Sequence, residues 1–352
     1  MPEREMSRYA GVLDYREPAM IATRQLGATG PVSSALGLGC MGMSGTYGAA
    51  DRGESIATIH AALDAGITLL DTGDFYGMGH NELLIADALR GRNRDDVLIS
   101  VKFGAQRGPD GAWLGYDARP QAVKSALAYS LQRLGTDHVD IYRPARLDAK
   151  VPIEETVGAI AELIQAGYVR HVGLSEVGAD TIRKAAAVHP IADLQIEYSL
   201  ISRGIEDAIL PTCRELEIAV TAYGVLSRGL ISGRYSADHG IPAGDIRGRM
   251  PRFQGDNLAH NLALVDRLRE VAEAKAVSVA QIAFAWALSR GEDVVPLVGA
   301  RRRDQLTEAL GALDIHLTQD DLEAIERAVP ADAAAGDRYG APQMADLDSE
   351  RR

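Results

Sequence analysis

The chain has 352 residues, 46% hydrophobic and 24% charged, ample for one large apolar core and too rich in hydrophobic residues for a disordered polymer. A formal net charge of −12 excludes a general nucleic-acid binder, which needs a basic surface, so any anionic ligand must find a local basic pocket. Two cysteines far apart, Cys40 and Cys213, exclude a disulfide framework and a paired thiolate zinc site, and they fit a reducing compartment.

Residues 1–19 read as an N-terminal extension that is charged at its start and lacks a secretory h-region, with Met20 beginning the regular pattern. No run approaches the roughly 20 apolar residues that span a bilayer. A cytoplasmic protein is therefore expected.

Ahead of the first long apolar run, 21–25 and 32–34 flank Gly27-Ala28-Thr29-Gly30, which predicts a β-hairpin. Strand-like runs follow at 36–41, 68–74, 97–103, 139–145, 171–176, 193–199, 219–225 and 294–300. Most are too apolar to have one wet face, the mark of parallel strands covered on both sides. Amphipathic segments lie between them, among them 55–64, 120–134, 153–165 and 205–216. The alternation predicts βαβ units, and about eight of them favour a closed (β/α)8 TIM barrel over an open sheet. Three segments break the rhythm: 104–119, 227–257 and the tail from about 330. The first two follow strands, so they are expected as long loops on the C-terminal face, where barrel enzymes keep their sites. The expected organisation is thus 1–19 extension, 20–330 barrel domain and 331–352 C-terminal tail.

Asp71 ends the second run and Lys102 the third, with Tyr76 in the loop just after Asp71. A Lys and an Asp on neighbouring strands are each costly to bury alone and tolerable as a pair. The Lys charge can then lower the pKa of a nearby phenol, and a tyrosine so tuned can donate or accept a proton. Spacing leaves a second reading open, a structural Lys–Asp pair with an unrelated loop tyrosine.

The pattern from Leu70 to Gly77 (Leu-Asp-Thr-Gly-Asp-Phe-Tyr-Gly), followed by Ser-Val-Lys-Phe-Gly from Ser100, strongly resembles the aldo-keto reductase family. The resemblance runs in order through Arg24–Gly27, Leu36–Gly39, Val169–Ser175, Gln195–Ser199, Ala222–Gly229 and Val298–Arg301, covering about 20–330. It implies an NADP-dependent oxidoreductase of the alcohol dehydrogenase type, reducing an aldehyde or ketone or running the reverse. Tyr76 would protonate the carbonyl oxygen, Lys102 would depress its pKa and Asp71 would hold Lys102. Ser175 and Gln195 match residues holding the nicotinamide carboxamide, and Tyr223 the aromatic that stacks on the ring. Gly299, Arg301, Gln305 and Glu308 match the segment at the adenosine end. Arg301 beside Arg302 and Arg303, after the last strand and before a helix, suits a 2′-phosphate. Cys40, Met41, Gly224, Leu226, Ser227, Arg228 and Arg234 complete the implied cofactor surface; Arg228, Arg234 and Arg252 could clasp the pyrophosphate or be surface charge. Trp113 and Tyr116 could line the substrate pocket or pin their own loop.

The chain departs from the family's pattern in several places. The family's fourth catalytic position, a histidine ending strand four, is Ala145 here, which would instead border the substrate. No other histidine replaces it. His138 and His171 lie at the opposite face, His60, His189 and His316 in helices or connections, and His80 before Asn81-Glu82 at a helix start. Tyr76 could act alone with water, the vacated space could admit a substrate bringing its own donor, or the protein could bind NADPH with little turnover as a regulatory or interaction protein. Glu176 stands where an asparagine is usual and would put negative charge beside the nicotinamide, favouring the oxidised ring. Ala309 replaces an asparagine near the adenine. No metal is expected, because no ligand cluster falls at the strand ends. The substrate, the physiological direction and the oligomeric state are not legible.

Overall fold

The computed structural model describes residues 21–235, 241 and 245–351, so the expected extension 1–19 lies outside the described residues. Eight parallel strands close into a barrel. They are β1 (Gly37–Gly39), β2 (Leu69–Gly73), β3 (Leu98–Phe103), β4 (Val139–Pro144), β5 (Val169–Ser175), β6 (Ile191–Glu197), β7 (Ala219–Tyr223) and β8 (Val294–Val298). Their spatial order is the sequence order, β8 pairing back onto β1. The (β/α)8 expectation is met, each strand lying within two or three residues of its apolar run.

Helices α1 (Arg52–Asp64), α2 (His80–Ala88), α3 (Pro120–Leu134), α4 (Ile153–Gln165), α5 (Ala179–Ala186) and α6 (Ile209–Glu215) follow strands β1 to β6... in turn, with α7 (Gly255–Ala274) and α8 (Val279–Leu288) between β7 and β8. After β8 come α9 (Arg303–Leu310), α10 (Gln319–Ala328) and a short α11 (Ala341–Ala345). The helix α4 shows the logic: Ile153, Val157, Ile160 and Leu163 recur at helical spacing and are buried against the sheet. A Ser278–Gln281 capping box starts α8 by giving its first free N–H groups partners. Among the described residues no single helix is long and apolar enough to cross a membrane.

Alternation along the strands divides the barrel. Outward side chains such as Leu70, Val101, Tyr142, Leu174, Ile196 and Val220 join the core beneath the helices. Inward ones are apolar at the N-terminal end, where Leu69, Ile141, Ala219, Val295 and Leu297 pack together. The hairpin of Thr23–Gln25 and Val32–Ser34 closes that end by inserting Leu26 into this cluster. Burying such a leucine contributes about 2 kcal/mol.

Towards the C-terminal end the interior turns polar. Arg143 and Asp193, both fully buried, pair at 2.9 Å, and Thr221 donates to the same carboxylate. Gly173 makes room for them: a Cβ there would meet Asp193 Oδ1 and Ile141 Cγ2 at 2.9 Å and Arg143 Cζ at 3.1 Å. Strand register sets the next layer, with Asp71 opposite Ser100 and Lys102 opposite Arg143.

The segment 104–119 is itself a small hairpin, Ala105–Arg107 with Trp113–Tyr116. The tail after α10 does not stand apart: it returns across the C-terminal end of the barrel and reaches the ends of β5, β6 and β7.

Candidate active site

Asp71, Lys102 and Tyr76 come together at the C-terminal end of β2 and β3. Lys102 Nζ donates to Asp71 Oδ1 at 2.6 Å and lies 5.0 Å from the centroid of the Tyr76 ring. Asp71 Oδ2 accepts from Gln195 Nε2 at 2.7 Å and from Ser100 Oγ at 3.3 Å. Ser100 in turn receives a hydrogen bond from Arg143 at 2.9 Å, so one buried polar chain runs from Asp193 to Lys102. This is what a buried carboxylate needs, a donor for each exposed lone-pair direction. A turn positions Tyr76: its N–H bonds the carbonyl of Gly73, and its own carbonyl accepts from Asn81.

Burial, then the charge of Asp71, raises the Tyr76 phenol well above its ordinary value, with Arg146 opposing them. The expected depression by Lys102 does not govern the phenol, because Asp71 takes up the ammonium's charge. Burial also lowers Lys102 from its usual value, and Asp71 restores part of the loss. Tyr76 is thus held as a neutral proton donor.

On the other side of the mouth, Ser175, Glu176, Gln195 and Tyr223 are neighbours, as their strand ends require. Ser175 Oγ is buried without a hydrogen-bond partner, an orphan that a carboxamide would satisfy. Glu176 differs from its expected role. Its Oε1 accepts from Tyr223 Oη at 2.6 Å, from the Glu197 N–H at 3.0 Å and from Arg338 at 2.8 Å. Its Oε2 accepts from Arg338 at 2.5 Å and Ser349 Oγ at 2.8 Å. Burial works against its charge, but Arg338, Arg146 and Tyr223 outweigh it and hold the carboxyl far below the usual carboxylate range. The lone negative charge expected beside the nicotinamide is thus neutralised by a tail arginine.

Glu197 extends this cluster. It pairs with Arg228 at 3.0 Å, Arg252 at 3.4 Å and Arg338 at 3.5 Å, and accepts from Ser202 at 2.8 Å. Arg228 and Arg252, offered as a pyrophosphate clasp, are committed here to Glu197. The guanidinium of Arg228 also sits 4.5 Å from the ring centroid of Tyr339. The loop after β7 is strained: Gly224, Ser227, Arg228 and Gly229 all have positive φ, at 69°, 44°, 57° and 92°. Non-glycine residues bear a cost of about 1 kcal/mol or more in that region, and such strain clusters at functional sites. Ser227 Oγ is a second buried orphan, in the loop where relatives' cofactor surface was expected.

At the β8–α9 end, Arg301, Gln305, Glu308 and Arg234 do assemble. Arg301 bonds the carbonyls of Tyr47, Gly48 and Ala49, and its N–H bonds Gln305, so it ties the loop after β1 to α9. Arg234 pairs with Glu308 at 2.6 Å, Arg302 with Asp304 at 2.9 Å and Arg303 with Glu54 at 3.0 Å. The arginine run is real as geometry, but each cation has a protein partner. Gly299, after β8, has open space where a Cβ would stand. Cys40 is wholly buried with its thiol towards the Leu38 carbonyl, and Met41 begins the turn after it. Gly224 lies against Glu197 and Leu226 precedes the strained turn.

Ala145 directly follows β4, buried, its N–H bonded to the Phe103 carbonyl. Trp113 is 43% exposed and meets Tyr116 edge-on at 4.8 Å; Tyr116 is half-buried, its phenol raised by burial and acted on by Arg146, Asp346 and Tyr339. His80 opens α2 and its Nδ1 bonds Ser44 Oγ at 3.0 Å.

Four neighbours of the candidate site escaped sequence reasoning. Arg338 and Tyr339 lie in a tail without periodicity, Tyr339 Oη meeting Tyr223 Oη at 2.9 Å. Arg146 offered only a charge next to Ala145. Tyr47 follows β1 with its phenol pushed up to about 12 by burial.

A family model described as "Aldo/keto reductase family" matches residues 35–330. A protein described as "Probable aldo-keto reductase 1" of Glycine max is 41% identical over 324 residues, covering 91% of this chain and 92% of that one. The solved glycerol dehydrogenase AKR11B4 of Gluconobacter oxydans superposes with a TM-score of 0.79 at 30% identity, over 87% of this chain and 94% of the other. The holo form of aldo-keto reductase AKR11C1 of Bacillus halodurans does so with a TM-score of 0.72 at 28% identity, over 88% and 97%.

Proposed function

Because the chain belongs to the aldo-keto reductase family, whose members are nicotinamide-dependent carbonyl oxidoreductases, we propose that it interconverts a carbonyl and an alcohol with NADP(H), Tyr76 donating the proton. The observation that carries this reading is the buried Lys102–Asp71 pair at 2.6 Å beneath the Tyr76 ring. Bound NADPH supplies the hydride. Tyr76 Oη gives its proton to the carbonyl oxygen as negative charge develops there; burial keeps the phenol protonated and so ready to donate, and the cost of the phenolate falls to the neighbouring cations. Lys102 stabilises the phenolate left behind, Arg146 adds to that field, and Asp71 keeps Lys102 oriented. In the reverse direction the same groups return the proton.

Ser175 Oγ and the free side of Gln195 would hold the carboxamide, and Tyr223 would lie under the ring. Glu176 is saturated and would leave the carboxamide to these two. At the far end Arg234 and Arg302 are the groups that would meet a 2′-phosphate. Their present partners are Asp304, exposed, and Glu308, half-buried, and such surface pairs contribute only about 0–1 kcal/mol, so a dianion can displace them.

Replacing Tyr76 by Phe should lower aldehyde-dependent NADPH oxidation by about 10²–10⁴-fold while NADPH affinity, read by fluorescence titration, changes less than twofold. Turnover equal to that of the parent protein sinks the assignment of Tyr76. Tight NADPH binding with no turnover of any aldehyde, ketone, quinone or sugar by the parent protein points instead to a cofactor-binding regulatory protein.

A further inference from the structure

At the C-terminal end of the barrel most of the buried or half-buried cations among the described residues have a carboxylate. Lys102 has Asp71, Arg143 has Asp193, Arg228 and Arg252 have Glu197, and Arg338 has Glu176 and Glu350. Arg301 and Arg146 are the exceptions, and they differ: Arg301 is taken up by the carbonyls of Tyr47, Gly48 and Ala49. Half-buried beside Ala145, Arg146 donates to the Ala145 carbonyl at 2.6 Å and to Tyr339 Oη at 3.3 Å. No carboxylate among the described residues lies within 4.0 Å of it. Glu176, the carboxylate that acts on Arg146 across the mouth, is already saturated by Arg338, Tyr223, Ser349 and a backbone N–H. The desolvation of a guanidinium is offset by hydrogen bonds and, more strongly, by an opposite charge, and Arg146 gives only two of its donors to the protein.

The guanidinium belongs to the mouth: it follows Ala145, whose N–H bonds the carbonyl of Phe103, the residue after Lys102, and it reaches Tyr339, which meets Tyr223 Oη at 2.9 Å. Its charge also acts on Tyr76, Lys102, Tyr116 and Tyr223. It is also remote from the adenosine-end arginines: Arg146 follows β4, whereas Arg301 to Arg303 follow β8, and four strands separate these in an eight-stranded ring, placing them on opposite sides. Cofactor phosphates held near β8 would therefore not reach it.

We propose that Arg146 receives a carboxylate of the substrate, so that the protein's substrates are oxo acids or the corresponding hydroxy acids. A planar guanidinium accepts a planar carboxylate through two parallel hydrogen bonds, and one cation matches one negative charge. A phosphate dianion would need a second cation, and the neighbouring arginines are already matched by Glu176 and Glu197. Tyr339 Oη supports the guanidinium from the tail side and fixes where the carboxylate lies relative to Tyr76. The inference rests on the reading of Tyr76 as the proton donor to the carbonyl, and its test is separable from that reading.

Glyoxylate, 4-oxobutanoate and 6-oxohexanoate are each compared with their methyl esters as substrates with NADPH, using the parent protein, Arg146→Met and Arg146→Lys. The parent should prefer at least one acid over its ester by tenfold or more in kcat/KM, mainly through KM. Arg146→Met should bring that ratio to within about twofold of one, and Arg146→Lys should recover part of it. A parent protein with no preference for any acid, or a ratio unmoved by Arg146→Met, overturns the proposal. In a second arm, the NADP+-loaded protein is titrated with succinate by calorimetry. Saturable binding that weakens at least tenfold in Arg146→Met supports the proposal, and equal affinity in the two proteins, or none in the parent, overturns it. A tenfold loss of NADP+ affinity in Arg146→Met with the acid-to-ester ratio intact assigns Arg146 to the cofactor and also overturns it. Should the parent protein reduce no carbonyl, the proposed reaction fails while the succinate titration still decides the role of Arg146.

Discussion

Two charged clusters face each other across the mouth of this barrel, and they are built by different means. Asp71, Lys102, Ser100, Gln195 and Arg143 all stand on strands, so the hydrogen-bonded register of the sheet alone brings them together. Glu176 and Glu197 also end strands, but their cations arrive from elsewhere: Arg228 and Arg252 from the long loop after β7, Arg338 from the tail. The first cluster is rigid wherever the barrel is intact. The second depends on segments that could detach while the barrel remains, so the two should respond differently to the loss of one partner.

The largest effect is expected where one cation serves three carboxylates, Glu176, Glu197 and Glu350. Arg338→Met leaves Glu176 with three neutral donors and Glu197 with two arginines, and it should destabilise the fold by about 3–5 kcal/mol in denaturant titration. Glu176 is charged in the folded state far below the ordinary carboxylate range, so its contribution is present above about pH 4.3, the unfolded value, and lost as pH falls below it. The variant should lose that acid-side slope. A cost under 1 kcal/mol would show that the tail contributes nothing to the barrel.

Lys102→Met should cost less, about 2–3 kcal/mol, because Gln195 and Ser100 still donate to Asp71. A cost exceeding that of Arg338→Met would reverse the ranking of the clusters. Asp74 offers a carboxyl with no cation of its own. Its Oδ1 is buried without a partner, and burial followed by Glu82 raises it to about 7, Arg133 opposing. A carboxyl raised on folding stabilises most when protonated, so its contribution is full below about pH 4 and lost as pH rises through 7. Asp74→Asn should therefore be about 1–2 kcal/mol more stable than the parent at pH 8 and similar at pH 4.5. The same difference at both values would remove the titration from the explanation.

Smallest of all, Arg302→Ala should change stability by less than about 0.5 kcal/mol, since its pair with Asp304 is half-exposed. Its effect should appear in the NADPH-to-NADH preference in steady-state rates, and an unaltered preference would move 2′-phosphate recognition to Arg234.

The same contrast explains what could be read without coordinates. The barrel was legible because doubly covered strands are apolar for their whole length, and Asp71 and Lys102 stood out as charges ending such runs. Tyr76 and Ser175 were legible through motifs that strand ends keep at short range. Arg338 and Tyr339 were not, since a tail of Ala, Asp and Gly has no period to say which face it turns inward. The pairing of Glu176 was hidden for the same reason: its partner lies 162 residues away, beyond any spacing rule. Arg146 was visible as a residue, but that it lacks a carboxylate is a property of the assembled mouth. The loop 104–119 hid a hairpin because its two strands are only 3 and 4 residues long.

The separation between Glu176 and its tail partners also sets a timetable for the newborn chain. At about 5–20 residues per second, Arg338 leaves the ribosome on the order of ten seconds after Glu176, and Ser349, 173 residues on, later still. Until then β5 and β6 hold two carboxylates whose burial no tail arginine offsets, so this end of the barrel must stay hydrated while the rest is already closing. This mouth is therefore the last part of the molecule to dry.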